Sequence, residues 1–257
     1  MTAAGPVGRV LAVWAGLQLV GALLAVLVRR SDRGRPERRT ERLAQKFMSY
    51  IGITLAVLLL GFLPDETFRM ALLTWMTFTI LEYHSAVERA QAELLRDEPT
   101  LEGGGPLAIA AAFAALFSVR ALDPSGGAWG FLWLVVGTTD AYSQLFGQGW
   151  GRHPMAPVLS PSKMWEGFVG GTLSAIGAGV ATAFVFPTLS LGQSALLALI
   201  VSLAASAGDL GESAVKRHLR IKDFSDFLGT HGGLLDRFDS LLAAALVFAP
   251  ILALLPR

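Results

Sequence analysis

An all-α, polytopic integral membrane protein of about eight transmembrane helices is the fold this sequence predicts. Three observations predict it. Hydrophobic residues make up 53% of the 257-residue chain, and mean hydropathy is +0.53. Charged residues are only 16%, against about 25% in a soluble globular domain. Apolar runs repeatedly approach or exceed the roughly 20 residues a helix needs to cross a bilayer. The chain contains no cysteine, which excludes disulfides, thiolate nucleophiles and cysteine-ligated metals.

The elements follow in chain order. Residues 8–28 form the first span. They run into Arg29-Arg30 without a small-residue cleavage site, which predicts an uncleaved span rather than a signal peptide. Residues 29–46, "RRSDRGRPERRTERLAQK", carry eight Lys/Arg. Basic segments resist export, so this loop is expected in the cytoplasm and the N-terminus outside. Spans at 47–63 and 68–84 come next. Residues 85–98, "SAVERAQAELLRDE", put charges on most faces of a helix, beyond the span at 68–84, and predict a solvated or interfacial cytoplasmic helix. Spans at 104–122, 127–147, 166–187, 192–213 and 240–256 complete the set. Alternation leaves 64–67, 123–126 and 188–191 outside, where there is no Lys or Arg. It leaves 148–165 and 214–239 inside, with Arg152, Lys163, Lys216, Arg217, Arg220, Lys222 and Arg237.

Ionisable groups within spans are costly, so they usually line a cavity or a site. Asp140 lies in the fifth span and Glu166 opens the sixth, where a carboxylate also suits the helix dipole. On the seventh, Asp209, Glu212, Ser213 and Lys216 follow i, i+3, i+4, i+7 spacing and make one polar stripe. The loop that follows, "IKDFSDFLGTHGGLLDRFDS" at 221–240, holds four aspartates (Asp223, Asp226, Asp236, Asp239) with Lys222, His231 and Arg237. Carboxylates without cysteine suit a hard cation such as Mg²⁺. The lysines and arginines suit a polyanion. His231-Gly232-Gly233 lets backbone N–H groups approach phosphate oxygens. Together these are the parts of a metal–phosphate site. A second stretch, "GRHPMAPVLSPSKMWEGFVGG" at 151–171, adds Ser160-Pro161-Ser162 as a turn bearing hydroxyls and Lys163 as a phosphate contact. Trp165-Glu166 is expected to start a helix, with Trp165 an interfacial anchor or a ligand-stacking residue. Gly170-Gly171 permits close helix packing.

Residues 213–240 resemble the signature of the phosphatidate cytidylyltransferases, also called CDP-diacylglycerol synthases: S-x-x-K-R-x4-K-D, a short spacer, then H-G-G-x-x-D-R-x-D. Ser213, Lys216, Arg217, Lys222, Asp223, His231, Gly232, Gly233, Asp236, Arg237 and Asp239 fall in place. "GDLGES" at 208–213 is similar to the lead-in of that signature. "LSPSKMWEGFVGG" resembles the family's S-P-K-K-T-W-E-G segment, with Ser162 where lysine is common and Met164 where threonine is common. "DAYSQLFGQGWGRH" at 140–153 is a looser match.

The resemblance implies that CTP and phosphatidate give CDP-diacylglycerol and pyrophosphate on a polytopic enzyme. It implies an Mg²⁺ centre held by Asp209 and Asp236, with K⁺ as a partner ion, and a homodimer. Lys216, Arg217, Lys222 and Arg237 would grip phosphates, and His231, Gly232 and Gly233 would shape the phosphate loop. Asp223 and Asp239 would be further metal-site residues or salt-bridge partners of Lys222 and Arg237. Ser160, Lys163, Trp165, Glu166, Ser213 and Asp140 would contact substrate. The chain then reads as one membrane domain, 1–257, with N-terminal spans in 1–125 and the catalytic half in 126–257. A bacterial inner membrane with the site facing the cytoplasm is expected, and no nucleic-acid partner. The competing readings are a CTP-dependent lipid kinase of the polyprenol or phytol type, a cytidylyltransferase acting on an ether isoprenoid lipid, and an anion or metal transporter. A transporter has no use for the H-G-G-x-x-D-R-x-D loop, and no inverted repeat is visible.

Overall fold

A computed structural model describes residues 5–31, 50–94, 99–227 and 232–256. Over these residues the chain forms eight α-helices: α1 Pro6–Ser31, α2 Tyr50–Leu60, α3 Asp65–Leu94, α4 Pro99–Leu122, α5 Gly127–Trp150, α6 Trp165–Ala181, α7 Leu191–His218 and α8 Leu235–Leu254. Each falls on one of the eight expected spans. Four helical stretches, Pro6–Val28, Pro99–Leu122, Leu191–His218 and Leu235–Leu254, are long and apolar enough to cross a membrane. Large apolar side chains cover the outside, including Leu19, Leu23, Leu107 and Leu173. Such a surface suits lipid rather than water. The chain is an all-α integral membrane protein.

Helix α5 is the centre of the bundle, with α1, α6, α7 and α8 packed around it. Its residues 127–136 are buried without a break, as expected of a helix that is apolar all round. Polar tips on α5 must find partners, because no water is available in the bilayer core. Trp129 Nε1 donates to Val57 O at 2.8 Å and Trp133 Nε1 to Thr54 O at 2.7 Å. Tyr50 OH donates to Gly137 O at 2.7 Å. These bonds stitch α2 to α5. Small residues set the α5–α6 crossing: a Cβ on Gly167 would stand 2.5 Å from Ser143 O, and one on Gly171 2.7 Å from Thr139 O. Ser190 and Gln193 form a capping box that starts α7.

Four expectations are corrected. The span expected to end at 84 runs on without a break through residues 85–94, which are helical as expected but form the last turns of α3, with Ala86, Val87 and Ala90 buried; residues 95–98 lie outside the described part. Three small apolar side chains on one face outweigh the charges on the others. Helix α8 begins at Leu235 rather than 240, so Asp236 and Asp239 stand on its first turns instead of in a loop. Helix α6 stops at Ala181 and a 3-10 turn, Ala183–Val185, follows it. Ser160-Pro161-Ser162 is not a turn: β1 (Pro154–Ala156) pairs antiparallel with β2 (Ser160–Met164), Pro154 opposite Met164 and Ala156 opposite Ser160.

Candidate functional site

The polar stripe of α7 meets the first two turns of α8. Gly208 permits the approach, since a Cβ there would stand 3.1 Å from Asp239 O and collide with Ala243. Carboxylate oxygens of Asp209, Glu212 and Asp239 lie within 4.8 Å of one another. Asp140 of α5 adds a fourth carboxylate, with Asp209, Asp239 and Lys163 as its charged neighbours. Lys163 Nζ, carried in by β2, stands 2.8 Å from Asp209 Oδ1. Lys216 Nζ bridges Glu212 Oε1 at 3.2 Å and Asp236 Oδ1 at 2.8 Å. The Glu212 side chain is only 8% exposed, and among the described residues its oxygens accept no hydrogen bond besides that ion pair. Asp209 is 41% exposed and opens the cluster to solvent.

Five carboxylates (Asp140, Asp209, Glu212, Asp236, Asp239) thus face two ammonium groups (Lys163, Lys216). Like charges this close repel strongly away from water. The buried Glu212 oxygens, with no donor among the described residues but Lys216, in an all-oxygen set with Asp209 and Asp239, fit a hard divalent cation such as Mg²⁺. The sequence expectation paired Asp209 with Asp236. The structure groups Asp209 with Glu212 and Asp239, because i, i+3 spacing on α7 aims both carboxylates at the second turn of α8.

Asp236 is committed to the loop. Its Oδ1 takes Lys216, and its Oδ2 accepts Phe224 N at 2.8 Å and Gly233 N at 2.9 Å. Gly232 has φ 74°, the left-handed conformation that glycine adopts without strain. Gly233 is glycine for another reason: the Glu82 carboxylate of α3 occupies the place of its Cβ. Glu82 accepts from Ser225 Oγ, from Leu234 N at 3.1 Å and from Leu235 N at 2.8 Å. Arg89, two turns further along α3, donates through Nη2 to Phe224 O at 2.8 Å. Sequence reasoning assigned neither Glu82 nor Arg89 to the site. The available signal was that Glu82 is an ionisable group within the span expected at 68–84, the criterion that had picked out Asp140 and Asp209.

The remaining predicted residues sit around this centre. Glu166 closes the base of the hairpin, accepting Arg152 N at 3.1 Å, His153 N at 3.3 Å and a 2.6 Å contact with His153 Nδ1. Arg217 ties the hairpin to the loop by donating to Leu159 O at 3.2 Å and Ile221 O at 3.1 Å. Ser213 is buried on α7, and Ser160 is half-buried on β2. Trp165 is 49% exposed and packs edge-on against Phe168, as an interfacial anchor would. Lys222, Asp223 and Arg237 are exposed on the rim. His231 lies outside the described residues.

Comparison with known proteins adds two findings. A family model described as "Cytidylyltransferase family" matches residues 7–255. The chain is also similar to proteins named phosphatidate cytidylyltransferase. It is 37% identical to that of Mycobacterium bovis over 145 residues, covering 56% of this chain and 47% of the relative. It is 40% identical to that of Mycobacterium leprae over 146 residues, 57% and 46% of the two chains. It is 43% identical to that of Staphylococcus saprophyticus over 113 residues, 44% of each. The matched part spans about half the length of these curated relatives.

Proposed function

The chain belongs to the cytidylyltransferase family, and on that premise we propose that it transfers CMP from CTP to phosphatidate, yielding CDP-diacylglycerol and pyrophosphate. The observation that carries this reading is the convergence of Asp209, Glu212 and Asp239 within 4.8 Å beside Lys163 and Lys216. A phosphate oxygen of the lipid attacks the α-phosphorus of CTP, a P–O bond forms, and the bond to the β-phosphate oxygen breaks to release pyrophosphate. The attacking oxygen is already anionic at neutral pH, so no strong base is required. The obstacle is bringing two polyanions together, and the protein's part is positioning and neutralisation.

Lys163 enters from the hairpin at the open side of the cluster, where Asp209 is exposed, and suits a triphosphate oxygen. Lys222 and Arg237 on the rim provide further cations. Lys216 holds Glu212 and Asp236 in place. Asp209, Glu212 and Asp239 would hold Mg²⁺, which supplies neutralisation of the phosphate oxygens and the departing pyrophosphate. The carboxylate of Asp140, beside Asp209 and Asp239, leaves negative charge for a second, monovalent ion such as K⁺. Eight Lys/Arg in residues 29–46 and the basic residues flanking the site favour a cytoplasmic orientation in a bacterial inner membrane.

Purified protein given labelled CTP, phosphatidate and Mg²⁺ should form labelled CDP-lipid and pyrophosphate in equal amounts. Release of CDP with a newly phosphorylated lipid would identify a kinase instead. Archaetidic acid in place of phosphatidate tests the ether-lipid alternative. Asp209→Asn should abolish transfer while the protein still folds and inserts; full activity in that variant refutes the site.

A further inference from the structure

We propose that Glu82 is a positioning residue for this reaction, acting from α3 through the glycine loop to set where Asp236 and Asp239 stand. The inference rests on the cytidylyl-transfer reading above. Helix α8 has no capping side chain of its own: Leu234 is its N-cap residue and offers none. The first N–H groups of a helix need acceptors, and they favour a negative charge. Glu82 supplies both from a different helix, taking Leu234 N on Oε1 and Leu235 N on Oε2. Oε1 also accepts from Ser225 Oγ, so one carboxylate joins both limbs of the loop to the start of α8.

Asp236 grips the same two limbs from the other side, through Phe224 N and Gly233 N. Phe224 is held at both ends of its peptide groups, its N–H by Asp236 and its carbonyl by Arg89. Gly233 is enclosed likewise, with Asp236 on its N–H and Glu82 where a Cβ would be. Asp239 follows Leu235 by one helical turn, so its carboxylate goes where the start of α8 goes. Glu82 itself makes no contact with Asp209, Glu212 or Asp239 among its described bonds. Its effect on the cluster passes through the backbone, and groups that orient ligands in this way matter to catalysis at roughly the 10–100-fold level.

The test compares Glu82→Ala, Glu82→Gln, Gly233→Ala, the Glu82→Ala/Gly233→Ala double variant, and Glu88→Ala as a control. Among the described residues, Glu88 pairs with exposed His84 on the same helix. In Glu82→Ala, kcat should fall and the Mg²⁺ concentration for half-maximal activity should rise, each roughly tenfold or more, with KM for CTP little changed. Hydrogen exchange at amides 232–238 should accelerate in the same variant, with or without Mg²⁺. Glu82→Gln, milder for folding, should show the same changes in smaller measure. Gly233→Ala displaces the same carboxylate, so it should reproduce the defect, and the double variant should fall no further. Glu88→Ala should match wild type in every readout. Wild-type kcat in Glu82→Ala overturns the proposal. So does a loss of kcat with unchanged exchange and unchanged Mg²⁺ requirement, or full additivity in the double variant. Wild-type protein that makes no pyrophosphate while Glu82→Ala still speeds exchange refutes the assigned reaction and leaves the clasp on α8 upheld.

Discussion

Lys216 compensates two carboxylates at once. Its ammonium is shared by Glu212 and Asp236, whose side chains are 8% and 4% exposed. Removing one partner from a buried ion pair typically costs about 3–5 kcal/mol, because the remaining charge is left without compensation. Lys216→Met should therefore lower the denaturation midpoint in detergent sharply, with Lys216→Arg closer to wild type. An equal loss in both variants would place the cost in packing rather than charge. At Gly232, φ 74° predicts that Ala costs about 1–2 kcal/mol and Asn less, since Asn tolerates the left-handed region better. Thermal unfolding of the two variants checks the order. The sequence could flag Lys216, Gly232 and Gly233 by type and spacing. It could not show that Gly233 makes room for Glu82, because the two are separated by 151 positions that only folding closes.

At the scale of elements, the hairpin and the α5–α6 crossing behave differently. The hairpin brings Lys163 to a partly exposed Asp209. The lysine's Nζ is itself buried, so the pair is screened less than a surface one, and its loss leaves the carboxylates of Asp209 and Asp140 less compensated. Lys163→Ala should therefore lower both the melting temperature and kcat/KM for CTP; an unchanged melting temperature would confine the lysine to substrate contact. The crossing depends on close approach. Gly171→Val should destabilise the protein strongly, since even a Cβ meets Thr139 O and Ser143, whereas Gly177→Ala, with open space around it, should be neutral or slightly stabilising. Thermal melts of the pair in detergent decide this. Element positions were largely legible, because apolar run length reports a span directly. The hairpin was not, since β1 has only three residues and its pairing with β2 is a tertiary fact. The full length of α3 is not legible, because charges occupy most faces of residues 85–94 and the buried stripe of Ala86, Val87 and Ala90 is too small to stand out in hydropathy.

At the scale of the whole molecule, the prediction concerns sidedness. The chain has no cysteine, so single cysteines can report it without a background. Val158→Cys at the hairpin tip, 86% exposed, should react with an impermeant maleimide only from the cytoplasmic side. Thr67→Cys, at the start of α3, should react only from outside. Labelling of both from one side would overturn the topology, and labelling of Val158→Cys from outside would remove CTP from reach of the site. The sequence by itself determined the solvent and the positions of the helices, and it set expectations for the sidedness of each loop and the chemistry of the centre. These follow from local composition and helical period, which neighbouring residues write together. Only the tertiary structure decided that Glu212 and Asp239 join Asp209, that Asp236 turns to Lys216 and the loop, and that α3 caps α8 through Glu82. Those are distances between side chains on different helices, and they are set by how closely glycine and other small residues let the helices approach, which no single helix encodes.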